Sequence, residues 1–188
     1  MEAVDRRELL RRGIGAGVAL SATGLLVAAR DARAAGEADR SILGAAIDRE
    51  QKAVFTYDAL LGAGVLGRRA ERVVRLVRGQ DQEHADALTT ALTALGGAPP
   101  PKPSGGDADA ITKRVAGLKS EAQALDFAID LELGLVGGYH EALTTLYDAK
   151  LLQIAATITG SEGQHLVLLR QARGRQPVPN GIENGTSG

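Results

Sequence analysis

The sequence predicts an all-α protein, a four-helix bundle of two antiparallel helical hairpins that a long crossover joins. Apolar residues return every three or four positions in four long segments, which is the period of amphipathic helices. The connections between these segments run short, long, short, whereas an up-and-down bundle has only short connections. The chain also repeats itself, because residues 43–61 align with residues 125–143. Each copy predicts one hairpin.

The first two long helices form the first hairpin. Their apolar faces are Leu43, Ile47, Val54, Tyr57 and Leu61 on the first helix, and Val73, Val77, Leu88 and Leu95 on the second. Residues 62–67 form a short glycine-bearing turn, so the two helices are predicted to be antiparallel neighbours.

The crossover is predicted over residues 96–109, which read GGAPPPKPSGGDAD. Successive prolines remove backbone donors and fix an extended backbone, so this segment is predicted to contain no helix. A short helix over residues 110–118 is predicted to follow it.

The last two long helices form the second hairpin. The third is predicted over residues 121–149, and the fourth is predicted to end near Gly174, ahead of two prolines. Their inward residues are Leu125, Ile129, Val136, Tyr139, Leu143 and Leu146 on the third helix, and Leu151, Ile154, Ile158, Leu169 and Ala172 on the fourth. The bundle domain is placed at residues 35–176, and a flexible tail at residues 177–188.

The first 34 residues are interpreted as an export signal and are left out of the fold. Residues 6–11, RRELLR, resemble the twin-arginine export motif, an apolar stretch fills residues 13–29, and residues 32–34, ARA, fit the small-x-small cleavage rule. We expect the twin-arginine translocase to export the protein to the periplasm, the cell envelope or the medium. The alternative is an uncleaved signal that anchors the chain in the membrane.

The amino-acid composition limits the kinds of functional site that the chain can form. The chain has no cysteine, which excludes a disulfide framework, a zinc–thiolate site and thiol catalysis. Any metal must be held by carboxylates and imidazoles. Aromatic residues make up 3% of the chain and the net charge is −1, so there is neither a stacking platform for bases nor an overall positive charge to attract nucleic acid. We expect no nucleic-acid partner.

Each hairpin carries the same set of polar residues. Glu50 aligns with Glu132, and the DQEH of residues 81–84 aligns with the EGQH of residues 162–165. Each hairpin thus offers one lone glutamate, followed by an acid three residues before a histidine. The full set is Glu50, Asp81, His84, Glu132, Glu162 and His165.

All six side chains are predicted to point into the bundle, because each lies three or four residues from apolar residues of its helix. A buried lone carboxylate costs several kcal/mol unless it is paired, protonated or bound to a cation. Two divalent cations would balance the four carboxylates, and an acid three residues before a histidine places both ligands on one helix face. The alternative is a hydrogen-bonded polar core without metal.

Four helices that carry this set in this order resemble the ferritin-like superfamily, in particular small exported ferritin-like or rubrerythrin-like domains. The resemblance covers about residues 40–174 and implies a ferritin-like four-helix bundle. It implies Glu50 and Glu132 as terminal ligands, and Asp81 with His84 and Glu162 with His165 as the bridging acids and histidines. The superfamily usually has glutamate where this chain has Asp81, so the resemblance leaves open a stretched or water-mediated bridge.

The resemblance also implies a cofactor and an activity. We expect two iron ions, or manganese, and a ferroxidase- or peroxidase-like oxidoreductase that uses dioxygen or hydrogen peroxide. No rubredoxin-type cysteine module is present, so turnover would need an external reductant. The alternative is a non-catalytic bundle with a degenerate or empty site, acting as a structural or stress-related protein of the cell envelope. A homodimer is a further expectation, while an iron-storage cage is less favoured.

Other polar residues are assigned simpler roles. Tyr57 and Tyr139 could donate hydrogen bonds near the site, but plain core tyrosines are the favoured interpretation. His140 is interpreted as an edge or surface residue. The basic stripe of the second helix is interpreted as a solvated face. It consists of Arg68, Arg69, Arg72, Arg75 and Arg78.

Overall fold

The computed structural model describes residues 22–185, with side chains from residue 30 onward. It has five helices in this part of the chain, which are α1 (Ala22–Gly62), α2 (Arg68–Ala94), α3 (Gly105–Ala116), α4 (Glu121–Thr145) and α5 (Ala149–Arg173). No strand occurs among these residues, so the all-α prediction is confirmed. No described helix is long and apolar enough to cross a membrane.

The chain divides into two compact units, residues 1–35 and residues 36–188. The first contains the predicted signal, whose twin-arginine motif and most of whose apolar stretch lie outside the described residues. The second contains the greater part of α1 and all of α2 to α5.

The short turn between α1 and α2 is present as predicted. α1 ends at Gly62, and Gly64 takes a left-handed φ of 69° that suits glycine. The backbone N–H of Gly67 donates to Oε2 of Glu121 at 2.6 Å, which joins this turn to the start of α4. A Cβ at Gly67 would lie 2.9 Å from the same oxygen, so the contact requires glycine or a shift of Glu121.

The crossover differs from the prediction at its end. α3 begins at Gly105, five residues before the predicted start, because nothing after Pro103 prevents helix formation. Asp107 lies in the first turn, where a negative charge favours the helix dipole, and pairs with Lys52 of α1 at 3.0 Å. Val115, near the C-terminal end of α3, is buried in the core and anchors that end of the helix.

The turn of the second hairpin is longer than predicted, because α4 ends at Thr145 and not at residue 149. Asp148 accepts hydrogen bonds from the N–H groups of Lys150 and Leu151 and so caps α5. Asp39, buried on α1, accepts from the N–H groups of the two residues before α5. α5 ends at Arg173, and Gly174 follows with a φ of 76°, as the sequence predicted.

Two hydrophobic clusters fill the bundle. The first includes Leu60, Val74, Val77, Leu125, Leu166 and Leu169, and the second includes Leu43, Ile47, Leu88, Leu92, Tyr139 and Leu151. On α1 the second cluster ends before Glu50 and the first begins after it, and on α5 Glu162 is flanked in the same way. The acids therefore lie in the middle of the bundle.

Two core predictions on α2 were wrong by part of a turn. Val74 is fully buried, whereas the predicted Val73 is only half-buried. Leu92 is buried, whereas the predicted Leu95 is 36% exposed, because it lies beyond the last residue of the helix.

The predicted tail contacts the bundle in its described part, residues 177–185. Glu183 forms an ion pair with Arg170 at 2.8 Å. A Cβ at Gly185 would lie 2.3 Å from the backbone nitrogen of Gly137, so the two backbones are in close contact. The flexibility of the tail and the domain limits stay predictions.

Candidate metal centre

The six residues singled out in the sequence come together in the middle of the bundle. They form two groups, in each of which one ligand atom per residue lies within 4.8 Å of the others. The groups are Glu50, Asp81, His84 and Glu162, and Asp81, Glu132, Glu162 and His165. Asp81 and Glu162 belong to both groups, so each carboxylate lies between two sets of nitrogen and oxygen donors.

Burial differs within the set. The four acids and His165 have no exposed surface, whereas the side chain of His84 is 11% exposed. His84 is therefore the member of the set that reaches solvent.

Each histidine turns its Nδ1 atom toward the acids. Nδ1 of His165 lies 3.0 Å from Glu162 Oε2 and 3.1 Å from Glu132 Oε2. Nδ1 of His84 lies 2.9 Å from Glu162 Oε1. The two oxygens of Glu162 thus face different histidines, which is the placement expected of a bridging carboxylate.

Several buried oxygen and nitrogen atoms of the cluster that could bind a metal have no hydrogen-bond partner. They are Glu50 Oε2, both carboxylate oxygens of Asp81, Glu162 Oε1 and His84 Nδ1. The last two are close to each other but are not aligned as a hydrogen bond. Unpartnered buried polar atoms are costly, and carboxylate oxygens with imidazole nitrogens are good ligands for iron and manganese. The donor set therefore fits a metal site.

Asp81 reaches the cluster despite its short side chain. It is fully buried, belongs to both groups, and places Oδ1 3.4 Å from Nδ1 of His165. Its two oxygens accept no hydrogen bond, so both are free to bind ions.

Without metal, the acids compete for protons. Burial and the charge of Glu162 raise the pKa of Glu50 well above its usual value, and burial and the charge of Glu132 do the same for the pKa of Asp81. Burial, with the hydrogen bond to Glu162, raises the pKa of Glu132 to about 8. The metal-free cluster therefore retains protons on some carboxylates near neutral pH.

Glu162 and His165 are both held in their charged forms, because the pKa of Glu162 is lowered and the pKa of His165 is raised. Burial raises the pKa of Glu162, but hydrogen bonds with Glu132 and His165 outweigh it and hold the pKa below its usual value. Burial lowers the pKa of His165, but hydrogen bonds with Glu132 and Glu162 raise it to about 9. In the metal-free protein a charged His165 offsets the ionised Glu162.

The two tyrosines contact the acids of the opposite hairpin. The hydroxyl of Tyr57 donates to Glu132 Oε1, and the hydroxyl of Tyr139 donates to Glu50 Oε1 at 2.5 Å. The favoured interpretation of plain core tyrosines was thus incomplete, although both are buried. Two helical turns, about 11 Å, separate each tyrosine from the glutamate on its own helix, so the hydroxyl meets the glutamate of the facing helix instead.

Gln80 is a site residue that the sequence did not reveal. Nε2 of His165 donates to Gln80 Oε1 at 2.9 Å, which leaves Nδ1 to face the carboxylates. The internal repeat could not identify it, because Ser161 occupies the equivalent position in the second hairpin.

The remaining candidates lie away from the cluster. His140 is half-buried, as an edge residue would be. Arg68, Arg69 and Arg72 are exposed, Arg75 pairs with Glu71, and Arg78 pairs with Asp58. The basic stripe is a solvated face, as predicted.

Comparison with known proteins agrees with this arrangement of helices. The profile of the ferritin-like domain family matches residues 38–175. The crystal structure of a conserved hypothetical protein, rv2844, from Mycobacterium tuberculosis is similar in fold, with a TM-score of 0.65 at 17% sequence identity. The match covers 79% of this chain and 99% of that one. No curated protein matches the sequence.

Proposed function

Since this chain belongs to the ferritin-like domain family, we propose that it is an exported protein whose bundle binds two iron ions and catalyses a ferroxidase- or peroxidase-like reaction. Manganese is the second metal that the ligands suit. The observation that carries the proposal is the set of buried, unpartnered donor atoms divided between two groups that share Asp81 and Glu162.

The chain offers each ion a matched ligand set. Glu50 and His84 would hold one ion, Glu132 and His165 would hold the other, and Asp81 and Glu162 would lie between them. Four carboxylates neutralise the charge of two divalent ions, which removes the cost of burying them. When bound, two iron ions supply the electrons that reduce dioxygen or hydrogen peroxide.

The surrounding side chains hold the ligands in position. The hydroxyl of Tyr139 engages Oε1 of Glu50 and leaves Oε2 of that carboxylate free to bind. The hydroxyl of Tyr57 engages Oε1 of Glu132 across the two hairpins, while Oε2 of Glu132 faces His165. Burial raises the pKa of both tyrosines far above the ordinary value, so both phenols stay protonated and act as donors.

Ions and small oxidants would enter beside His84. It is the member of the ligand set with exposed surface, and the other members have none.

Export through the twin-arginine pathway is supported by the motif at residues 6–11 and by the apolar stretch that follows it. That pathway carries folded proteins, so metal loaded in the cytoplasm would survive the crossing. Reducing equivalents would come from an external donor, since the chain has no cysteine for an electron-transfer module.

The alternative function is a non-catalytic bundle of the cell envelope, with a structural or stress-related role. One observation favours it. His165 lies within hydrogen-bond distance of both Glu132 and Glu162, which gives part of the cluster a stable arrangement without metal.

Oxygen uptake decides between the two functions. The folded protein is mixed with ferrous iron under anaerobic conditions and then exposed to dioxygen or hydrogen peroxide. We expect rapid consumption of oxidant by the parent and by Glu83→Ala, which removes an exposed acid beside the site, and loss of the reaction in Glu162→Ala. Iron binding without oxidant consumption in the parent would support the non-catalytic alternative.

A further inference from the structure

A groove of about 400 Å³ lies between α1, α2 and the proline segment 99–103. Its apolar walls are Val54, Phe55, Ala85, Pro99, Pro100 and Pro103. The volume is within the range of sites that bind small molecules. None of the six candidate metal ligands lines it, so the groove is separate from the acid and histidine cluster.

Of the charged groups on the groove, Arg78 and Asp58 pair with each other, whereas Asp86 and Lys102 are exposed to solvent. The guanidinium of Arg78 donates to both carboxylate oxygens of Asp58, at 2.8 and 2.9 Å. Asp86 accepts a hydrogen bond from the amide of Gln82 at 3.0 Å. A charged ligand would have to strip water from Asp86 or Lys102 or compete with the Arg78–Asp58 pair, whereas an uncharged ligand would leave all of these groups as they are.

Gln51, a residue that lines the groove, has one polar atom without a partner. Oε1 of Gln51 is shielded from water and accepts no hydrogen bond, while its amide nitrogen makes a long 3.4 Å bond to the carbonyl of Pro100. The prolines of this wall cannot provide the missing donor, because proline has no N–H. A ligand donor would reach Oε1 only by displacing this wall slightly, and the long contact with Pro100 holds the wall there only weakly.

We propose that this groove binds a small, uncharged aromatic molecule with one hydroxyl or N–H donor, whose ring packs against Phe55 and the prolines and whose donor reaches Oε1 of Gln51. Aromatic and proline side chains present flat apolar surfaces that suit a planar ring. The site requires no metal and does not depend on the oxidase proposal.

Two matched probes test the proposal, 2-naphthol and 2-methoxynaphthalene, which share the ring system but differ in the donor. Binding to the full chain is measured by titration, following the amide NMR signals of α1 and α2. We expect saturable binding of one 2-naphthol per chain, and about threefold to tenfold weaker binding of the ether. Absence of saturable binding, or equal affinity for the two probes, would overturn the proposal.

Variants locate the site. Thr89 lines the groove and its neighbour Thr90 is exposed outside it, so Thr89→Trp should fill the groove and Thr90→Trp should not. We expect Thr89→Trp to weaken 2-naphthol binding about tenfold or more, with no change in Thr90→Trp. Gln51→Leu should remove the difference between the probes while keeping binding of the ether. Binding that survives Thr89→Trp in a folded protein, or a probe difference that survives Gln51→Leu, would contradict the assignment.

Discussion

Nε2 of His165 lies 2.9 Å from Oε1 of Gln80, a residue of the opposite hairpin. An amide oxygen can only accept a hydrogen bond, so this contact requires a proton on Nε2 and turns Nδ1 toward the carboxylates. Among the described residues, no comparable hydrogen bond orients the ring of His84, and its Nδ1 has no hydrogen-bond partner. The two histidines of the repeat are therefore not equivalent.

Gln80→Leu is predicted to weaken metal binding at the group that contains His165. The substitution removes the acceptor that orients the ring, and loss of such a contact typically lowers metal affinity about 10–100-fold. The affinity of both ions is measured by titration. Gln82→Leu, the same change on a side chain that hydrogen-bonds Asp86 and not the cluster, is the control. Unchanged affinity in Gln80→Leu would show that Gln80 does not position His165.

Tyr139→Phe is predicted to weaken the ion held by Glu50 and His84 more than the other ion. The variant leaves Oε1 of Glu50 without its donor, and the lost hydrogen bond corresponds to about 1 kcal/mol, or roughly fivefold in affinity. Stepwise metal titration separates the two ions. Tyr147→Phe changes an exposed tyrosine, 69% accessible, and should have no effect. Equal weakening of both ions would argue against a local role for Tyr139.

The metal-free protein is predicted to lose stability as pH rises from about 5 to about 9. Glu132 has a folded pKa of about 8 against a usual 4.5, so deprotonation above pH 4.5 favours the unfolded chain until pH 8 is passed. His165, with a pKa raised from 6.5 to about 9, stabilises the fold fully below pH 6.5 and loses that contribution as pH rises through 9. Both effects have the same sign.

Thermal unfolding of the metal-free protein at pH 6 and pH 9 tests this dependence. We expect the lower melting temperature at pH 9, and a smaller difference once metal replaces the protons. Glu162, whose pKa is lowered, matters only in acid, because its contribution is lost as pH falls below its usual value. A melting temperature that rises toward pH 9 would contradict the raised pKa values of Glu132 and His165.

The six candidate ligands could be predicted because each interrupts an apolar stripe at helical spacing and because the chain repeats the pattern. Glu50 and Glu132 align directly, and no tertiary information is needed to place them inward. The contacts between the two hairpins could not be predicted in this way. The partners of Tyr57 and Tyr139 depend on how the facing helices register, which a pattern along one helix does not contain.

Helix ends were predicted less well than helix faces. α3 begins at Gly105, inside a segment whose prolines suggested an extended chain throughout. α4 ends at Thr145, where Asp39 binds the backbone of the following turn from more than a hundred residues away in sequence. A hydrogen bond to a side chain so distant in sequence leaves no local signal.

The metal content of the purified, folded protein tests the central claim most directly. Measured after growth with iron and manganese, the parent and Glu83→Ala should carry about two ions per chain. Glu50→Ala should keep about one, because the group around Glu132 and His165 stays complete. Glu162→Ala should keep close to none, because both groups share that carboxylate. A folded, helical parent without metal, or Glu162→Ala with both ions, would contradict a dinuclear centre at this site.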